Sequence, residues 1–299
     1  MSGVGGVSGE DGASGADRED GSPSGLTIVS VPAPGPDPWL ALRQHTPARI
    51  ALGRSGASLP TAEVLRFAGA HAQARDAVHE ALDVAALDDA LRADGWAPVT
   101  ARSRAATRAD FLRRPDLGRR LDEASALHLA ALADLDDSAQ ALRPAPLLVV
   151  VVADGLSARA AQSHAAPTLQ HLRTALDTAG DSPLHWGPVV IATQARVALA
   201  DEIGALLGAA LVLILLGERP GLSSPDSLGA YLTFGPHIGR SDAERNCVSN
   251  IRPAGLAPPR DAARLAWLVR EALRRRFSGV ALKDDSAQAL APPQARMEP

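Results

Sequence analysis

Hydrophobic positions fall into two regimes along the chain. In the first, apolar residues recur at helical spacing. Val64, Phe67, His71, Ala74, Val78 and Leu82 lie three or four apart, behind a helix start at Ser58 and Pro60. Pro115 is expected to open a second helix, with Leu117, Leu121 and Leu132 on its apolar side. A polar connection is expected between the two, around residues 94–105. In the second regime, which begins near Pro144–Pro146, short continuous apolar runs alternate with helical stretches. Leu147–Ala153 (LLVVVVA) is β-branched and uninterrupted, as a strand covered on both faces should be. Further strands are expected at Val189–Thr193, Leu211–Leu216 (LVLILL) and Tyr231–Gly235. The helices between and after them are read from Ser157 (with a break at Pro167), near Asp201–Leu207, and at Asp261–Phe277. Strands alternating with helices imply a mostly parallel sheet joined by right-handed crossovers. The fold class is therefore α/β: a Rossmann-like sheet over residues 144–284, preceded by a helical region over residues 39–143.

The two ends read differently. Residues 1–38 are rich in Gly, Ser and Pro, with six acids (Glu10, Asp11, Asp17, Glu19, Asp20 and Asp37) against Arg18. Such a segment buries too little apolar surface to offset chain entropy, and is expected to be disordered. Residues 285–299 read as a second loose tail. The full chain of 299 residues has a net charge of -4, so the body without its acidic arm is close to neutral. A duplex-DNA binder needs a basic face, and this body has no such excess. Aromatics are 3% of residues, too few for RNA recognition by stacking. Cys247 is the single cysteine, so neither an internal disulfide nor a cysteine-based zinc site is expected. The largely apolar run Ile203–Gly217 is shorter than the roughly 20 residues that span a bilayer. The start of the chain has no basic and apolar signal pattern. A cytoplasmic protein is expected.

Ligands of open parallel sheets sit beyond the carboxyl ends of the strands. LLVVVVA runs directly into Asp154-Gly155-Leu156-Ser157, and LVLILL into Gly217-Glu218-Arg219-Pro220-Gly221-Leu222. Each strand thus brings a carboxylate, with glycine beside it, to the same edge. Either carboxylate alone reads equally well as a cap; the two together favour a site. Ser241–Ile251 (SDAERNCVSNI) is dense in polar residues and is expected to be a ligand-facing loop, although a lone cysteine such as Cys247 ordinarily just fills space. No nucleotide-binding glycine motif, phosphate loop or nucleophile elbow occurs. Asp154, Ser157 and His164 include the residue types of a hydrolase triad, but on one turn and its following helix, where such triads are rarely built. A stand-alone flavodoxin-like nucleotide-binding module remains the alternative from the α/β pattern alone.

Seven strings occur in a fixed order: ARIALGRSG (48–56), LRFAGAHAQARD (65–76), RPDLGRRL (114–121), ADGLS (153–157), GERPGLS (217–223), DAERNCVSNIRP (242–253) and SGVALK (278–283). Together they resemble the small subunit of ethanolamine ammonia-lyase over about residues 46–284, with GERPGL followed by ERNCVSNI the most specific part. The resemblance implies an adenosylcobalamin-dependent lyase. Ethanolamine becomes acetaldehyde and ammonia through an adenosyl radical, while protein holds and positions the cofactor. It implies a large-subunit partner that carries the substrate pocket, a hetero-oligomer, and cobalamin contacts here at Val197, Glu218 and Cys247. Asp154 is added from its place at a strand end. The resemblance also implies that cobalt keeps the cofactor's own dimethylbenzimidazole. The absence of a D-x-H-x-x-G string agrees: His237-Ile238-Gly239 stands between Gly235 and Arg240. Related chains can use an N-terminal segment to enter a bacterial microcompartment. Residues 1–38 lack the amphipathic helix that such targeting would use.

Overall fold

The computed structural model describes residues 39–46, 48–140, 145–178 and 184–289. The chain divides into a unit over residues 1–51 and a unit over residues 52–299. The first contributes one short described helix, α1 (Trp39–Leu42). The expected tail over residues 1–38 lies outside the described residues. So does most of the second tail, but residues 286–289 form a helical turn whose first residue, Ser286, is buried.

The second unit is organised by a six-stranded sheet in the order β1-β3-β2-β4-β5-β6. The strands are β1 (Pro98–Arg102), β2 (Leu147–Ala153), β3 (His185–Thr193), β4 (Leu211–Gly217), β5 (Leu228–Phe234) and β6 (Arg245–Ile251). β1, β3, β2 and β4 run parallel; β5 and β6 are antiparallel to their neighbours. The helices are α2 (Thr61–His79), α3 (Val84–Ala93), α4 (Arg108–Arg113), α5 (Glu123–Gln140), α6 (Ala158–Asp177), α7 (Leu199–Leu206), α8 (Pro258–Arg275) and α9 (Ser286–Ala289). No helix among the described residues is long and apolar enough to cross a membrane.

β2 shows why its sequence is uninterrupted. Leu148, Val150 and Val152 pack with α3, α6 and α8, while Val149, Val151 and Ala153 pack with α5 and α7. Side chains alternate across a strand, so a strand covered on both faces has no solvent position to fill. The route from β1 to β2 carries α5 on one face, and the return from β2 to β3 carries α6 on the other. The forward step from β3 to β4 carries α7 on the first face again. Opposite directions on opposite faces are what crossovers of a single hand require. Alanines at positions 160, 161 and 165 of α6 and 262, 266 and 272 of α8 are buried, which lets these two packed helices approach closely with few aromatics.

Four expectations change. Residues 98–102, expected in a polar connection, form the edge strand β1 with buried Pro98 and Ala101, paired in register with Val189–Thr193. Pro115 precedes a short 3-10 turn (Leu117–Arg119), not a long helix; the helix carrying Leu132 starts at Glu123. Pro167 does not interrupt α6, because Ala165, Thr168 and Leu169 around it are buried against the sheet and hold the helix together. Ser241–Ile251 is not a loop. Ser241 and Glu244 form a capping box on a short turn, and β6 then carries buried Arg245, Val248 and Ile251 at three-residue spacing, across a register shift against β5, among the exposed Cys247, Ser249 and Asn250. Polar density here reflects an edge strand with one wet side.

Candidate functional site

The carboxyl ends of β2, β3 and β4 meet at one edge of the sheet. Asp154, directly after β2, is 3% exposed. Its Oδ2 accepts the backbone N–H of Gln194 (2.9 Å) and its Oδ1 that of Ala195 (3.1 Å). Gln194 has φ 54°, a left-handed conformation that a non-glycine residue keeps only when its surroundings hold it there. The Arg108 guanidinium lies 3.4 Å from Asp154 Oδ2 and donates to the Gly155 carbonyl at 2.8 Å. Burial pushes the Asp154 carboxyl up, against the pull of the two N–H groups and Arg108. Asp154 thus anchors the turn after β3 to the end of β2.

Glycine is required where the loops after β2 and β4 touch. A Cβ on Gly155 (φ 53°) would stand 2.2 Å from the Gly217 carbonyl oxygen, and one on Gly217 would stand 2.0 Å from that of Ser157. The Leu156 N–H donates to the Gly217 carbonyl at 2.8 Å. Gly118 plays the same part under the third loop, since its Cβ would meet Arg196 Cγ at 2.9 Å. The Arg196 N–H donates to the Gly118 carbonyl at 2.8 Å.

These loops frame a pocket of about 450 Å³. Its apolar wall includes Phe111, Leu156, Val197 and Leu216; its polar wall includes Arg196, Glu218, Arg219 and Tyr231. Glu218 is oriented by neighbours: its Oε2 accepts the Ser227 hydroxyl (2.5 Å) and the Asn250 N–H (3.3 Å). A side chain at Gly229 would crowd its other oxygen, at 2.8 Å. Tyr231 pairs across β5–β6 with Cys247. Burial pushes the Tyr231 phenol well above its usual range, reinforced by the adjacent Cys247 and by Glu218. The site therefore joins a hydrophobic shelf, a fixed carboxylate and two guanidiniums around an open mouth.

Of the three expected contact residues, Val197 and Glu218 line this pocket. Cys247 does not. It is exposed on β6, beside the Tyr231 that does. Asp154 lies behind the pocket as an anchor, not in its wall. The hydrolase arrangement is absent: the Ser157 hydroxyl is buried and donates to the Pro225 carbonyl at 2.7 Å, while His164 Nε2 faces Asp226 at 3.3 Å. Sequence reasoning missed Arg108, Phe111, Arg196, Arg219 and Tyr231. Arg219 stood in plain view inside GERPGL. Arg108 and Phe111 come from α4, a helix of six residues too short to show a periodic face.

A family model described as ethanolamine ammonia-lyase light chain (EutC) matches residues 36–283. The chain belongs to this family. Relatives named ethanolamine ammonia-lyase small subunit, a lyase subunit, include one from Bradyrhizobium diazoefficiens. It is 55% identical over 259 residues, covering 87% of this chain and 95% of that protein. One from Azotobacter vinelandii is 54% identical over 253 residues (85% and 90%), and one from Pseudomonas syringae pv. tomato is 53% identical over 253 residues (84% and 84%). Most of the family-like strings have one address in the fold. RPDLGRRL supplies Gly118 beneath Arg196, and ADGLS and GERPGLS are the two touching loops. ERNCVSNI is the β6 strand beside them, and SGVALK brings Gly279, whose N–H donates to Asn246 of β6 at 2.8 Å. LRFAGAHAQARD lies apart from this edge, on α2.

Proposed function

We propose that this chain is the cofactor-contacting small subunit of an adenosylcobalamin-dependent ethanolamine ammonia-lyase, converting ethanolamine to acetaldehyde and ammonia with a large subunit that holds the substrate. The observation that carries the reading is the pocket where the Gly155 and Gly217 loops touch, with Val197 and Glu218 in its wall. β2 is the strand from which the chain leaves in one direction and to whose other side it returns, and such a reversal in a mostly parallel sheet is where a Rossmann-like domain would take its ligand, which supports the reading.

The residues suit the edge of a corrin. Val197, Leu156 and Leu216 offer an apolar shelf for its methylated rim. Glu218, held by Ser227 and Asn250, presents a fixed acceptor to its amide arms. Tyr231 and the exposed thiol of Cys247 continue that surface along β5 and β6. The pocket is an open-mouthed depression that takes one side of a large ligand and leaves the other to a partner. When bound, with its own dimethylbenzimidazole on cobalt, the cofactor supplies the radical chemistry. This chain's residues bind its rim, orient its arms and keep water from that side. They do not touch ethanolamine.

The exposed apolar residues of α2 support a large partner: Val64 is 50% exposed and Leu65 66%. The assembly is a cytoplasmic hetero-oligomer on this reading. The test is ethanolamine deamination by separately purified large subunit and adenosylcobalamin, with and without this chain. Activity should appear only when the chain is added. Equal activity in its absence would refute the proposal. Glu218→Ala should then raise the apparent KM for adenosylcobalamin more than that for ethanolamine.

A further inference from the structure

The pocket holds more positive charge than its own residues neutralise. The Asp154 carboxylate is occupied by the N–H groups of Gln194 and Ala195 and by Arg108. Glu218 is engaged by Ser227 and Asn250. Arg196 in the wall lies over the Phe111 ring at 4.1 Å and donates through Nη2 to the Phe111 carbonyl at 3.0 Å, but its Nε is buried with no partner. Arg219 shares the wall, is exposed, and makes no hydrogen bond or ion pair with any described residue. Burial, and then the fields of Arg108, Arg119 and Arg219, hold the Arg196 guanidinium below its usual range, against the pull of Asp154.

A buried N–H without an acceptor and a free guanidinium beside it call for an anion. Arginine suits phosphate oxygens because its planar donors match their geometry. We propose that Arg196 and Arg219 form a receptor for a phosphodiester, the one linking the nucleotide tail of cobalamin to its corrin arm. This rests on the cobalamin reading above. The phosphodiester is the anionic group of that ligand, whose corrin amides are neutral. Phe111 stiffens the receptor by stacking on Arg196, and Gly118 leaves the space in which the Arg196 stem lies.

The experiment measures binding, not turnover. The chain in complex with its large subunit is dialysed to equilibrium against cyanocobalamin, and separately against cobinamide, which lacks the nucleotide tail and its phosphodiester. Arg196→Met with Arg219→Met should weaken cyanocobalamin binding on the order of 10- to 100-fold, as expected for loss of charge-assisted contacts. Cobinamide should bind the variant and the unmodified complex alike. Arg219→Met alone removes a side chain with no internal partner, so it tests the idea without threatening the fold; a smaller loss, again confined to cyanocobalamin, is expected. Unchanged cyanocobalamin binding in both variants would overturn the proposal. So would equal losses for both probes, or a loss of large-subunit association without ligand. If the unmodified complex binds neither corrinoid, the cobalamin reading itself fails. If it binds both and the arginines make no difference, only the receptor fails.

Discussion

β2 and α2 are both apolar patterns in the sequence, and the structure treats them in opposite ways. Every residue of β2 is buried, and its two faces belong to two separate hydrophobic clusters. Of the 19 residues of α2 only Ala77 is buried; Val64 and Phe67 of its apolar stripe are about half exposed, and the neighbouring Leu65 more than half. An apolar pattern states that a surface favours cover. It does not state which chain supplies the cover. β2 finds two layers of helices in its own chain, whereas the stripe on α2 is open to an additional surface.

The contrast can be broken most severely at β2. Val151→Asp would bury an unpaired charge at a site with no exposure. We expect a loss of about 3–5 kcal/mol, a large share of a domain's stability, seen as insoluble chain or a collapsed denaturation midpoint. Full retention of the midpoint would mean that β2 is not the core described here. A step down in size, Gly217→Ala puts a methyl 2.0 Å from the Ser157 carbonyl. It should cost about 2–3 kcal/mol and part the two loops that frame the pocket, so cobalamin affinity and thermal stability should fall together.

On the covered helix α8 even one polar group should be measurable. Asp261 has no exposure, its carboxylate oxygens have no partner, and burial lifts its pKa to about 7. The folded chain therefore keeps this proton at pH values where the unfolded chain has released it. The stabilisation is complete below about pH 4 and is lost as pH rises through about 7. Asp261→Asn should flatten that fall, gaining on the order of 1 kcal/mol at pH 8 and little at pH 4, by denaturation at the two pH values. The same slope in both proteins would show that Asp261 is not its source. Least disturbing to the fold is Leu65→Asp on α2, which should change the isolated chain by no more than about 0.5 kcal/mol. It should nonetheless reduce recovery of the large subunit in co-purification. A substantial fold defect with normal co-purification would reverse the contrast between the two elements.

Much of the site was legible because strand ends are legible. LLVVVVA and LVLILL fix where two strands stop, and the parallel pattern puts those stops on one edge. Asp154, Gly155, Gly217 and Glu218 are therefore placed together by the sequence alone. Their roles are not. Asp154 and Glu218 look alike in sequence, yet one is turned inward to hold Gln194 and Ala195 while the other faces the pocket. That difference depends on which backbone N–H groups lie within reach, and the turn after β3 supplies those of Asp154 from 40 and 41 residues away. Arg108 was illegible for the same reason: it reaches Val78, Gly155 and Gln194, three segments that meet only in the folded chain.

By itself the sequence determined the alternation of strands and helices in the second half of the chain, the doubly covered β2, and membership of a lyase-subunit family. These follow from local periodicity and from ordered strings, which need no partner in space to be read. Only the tertiary structure decided that β1 closes the sheet from the helical half, that ERNCVSNI is an edge strand, and that Arg196 and Arg219 face a common pocket. Strand pairing, burial and charge balance are properties of groups brought together from distant positions, and the chain must fold before they exist.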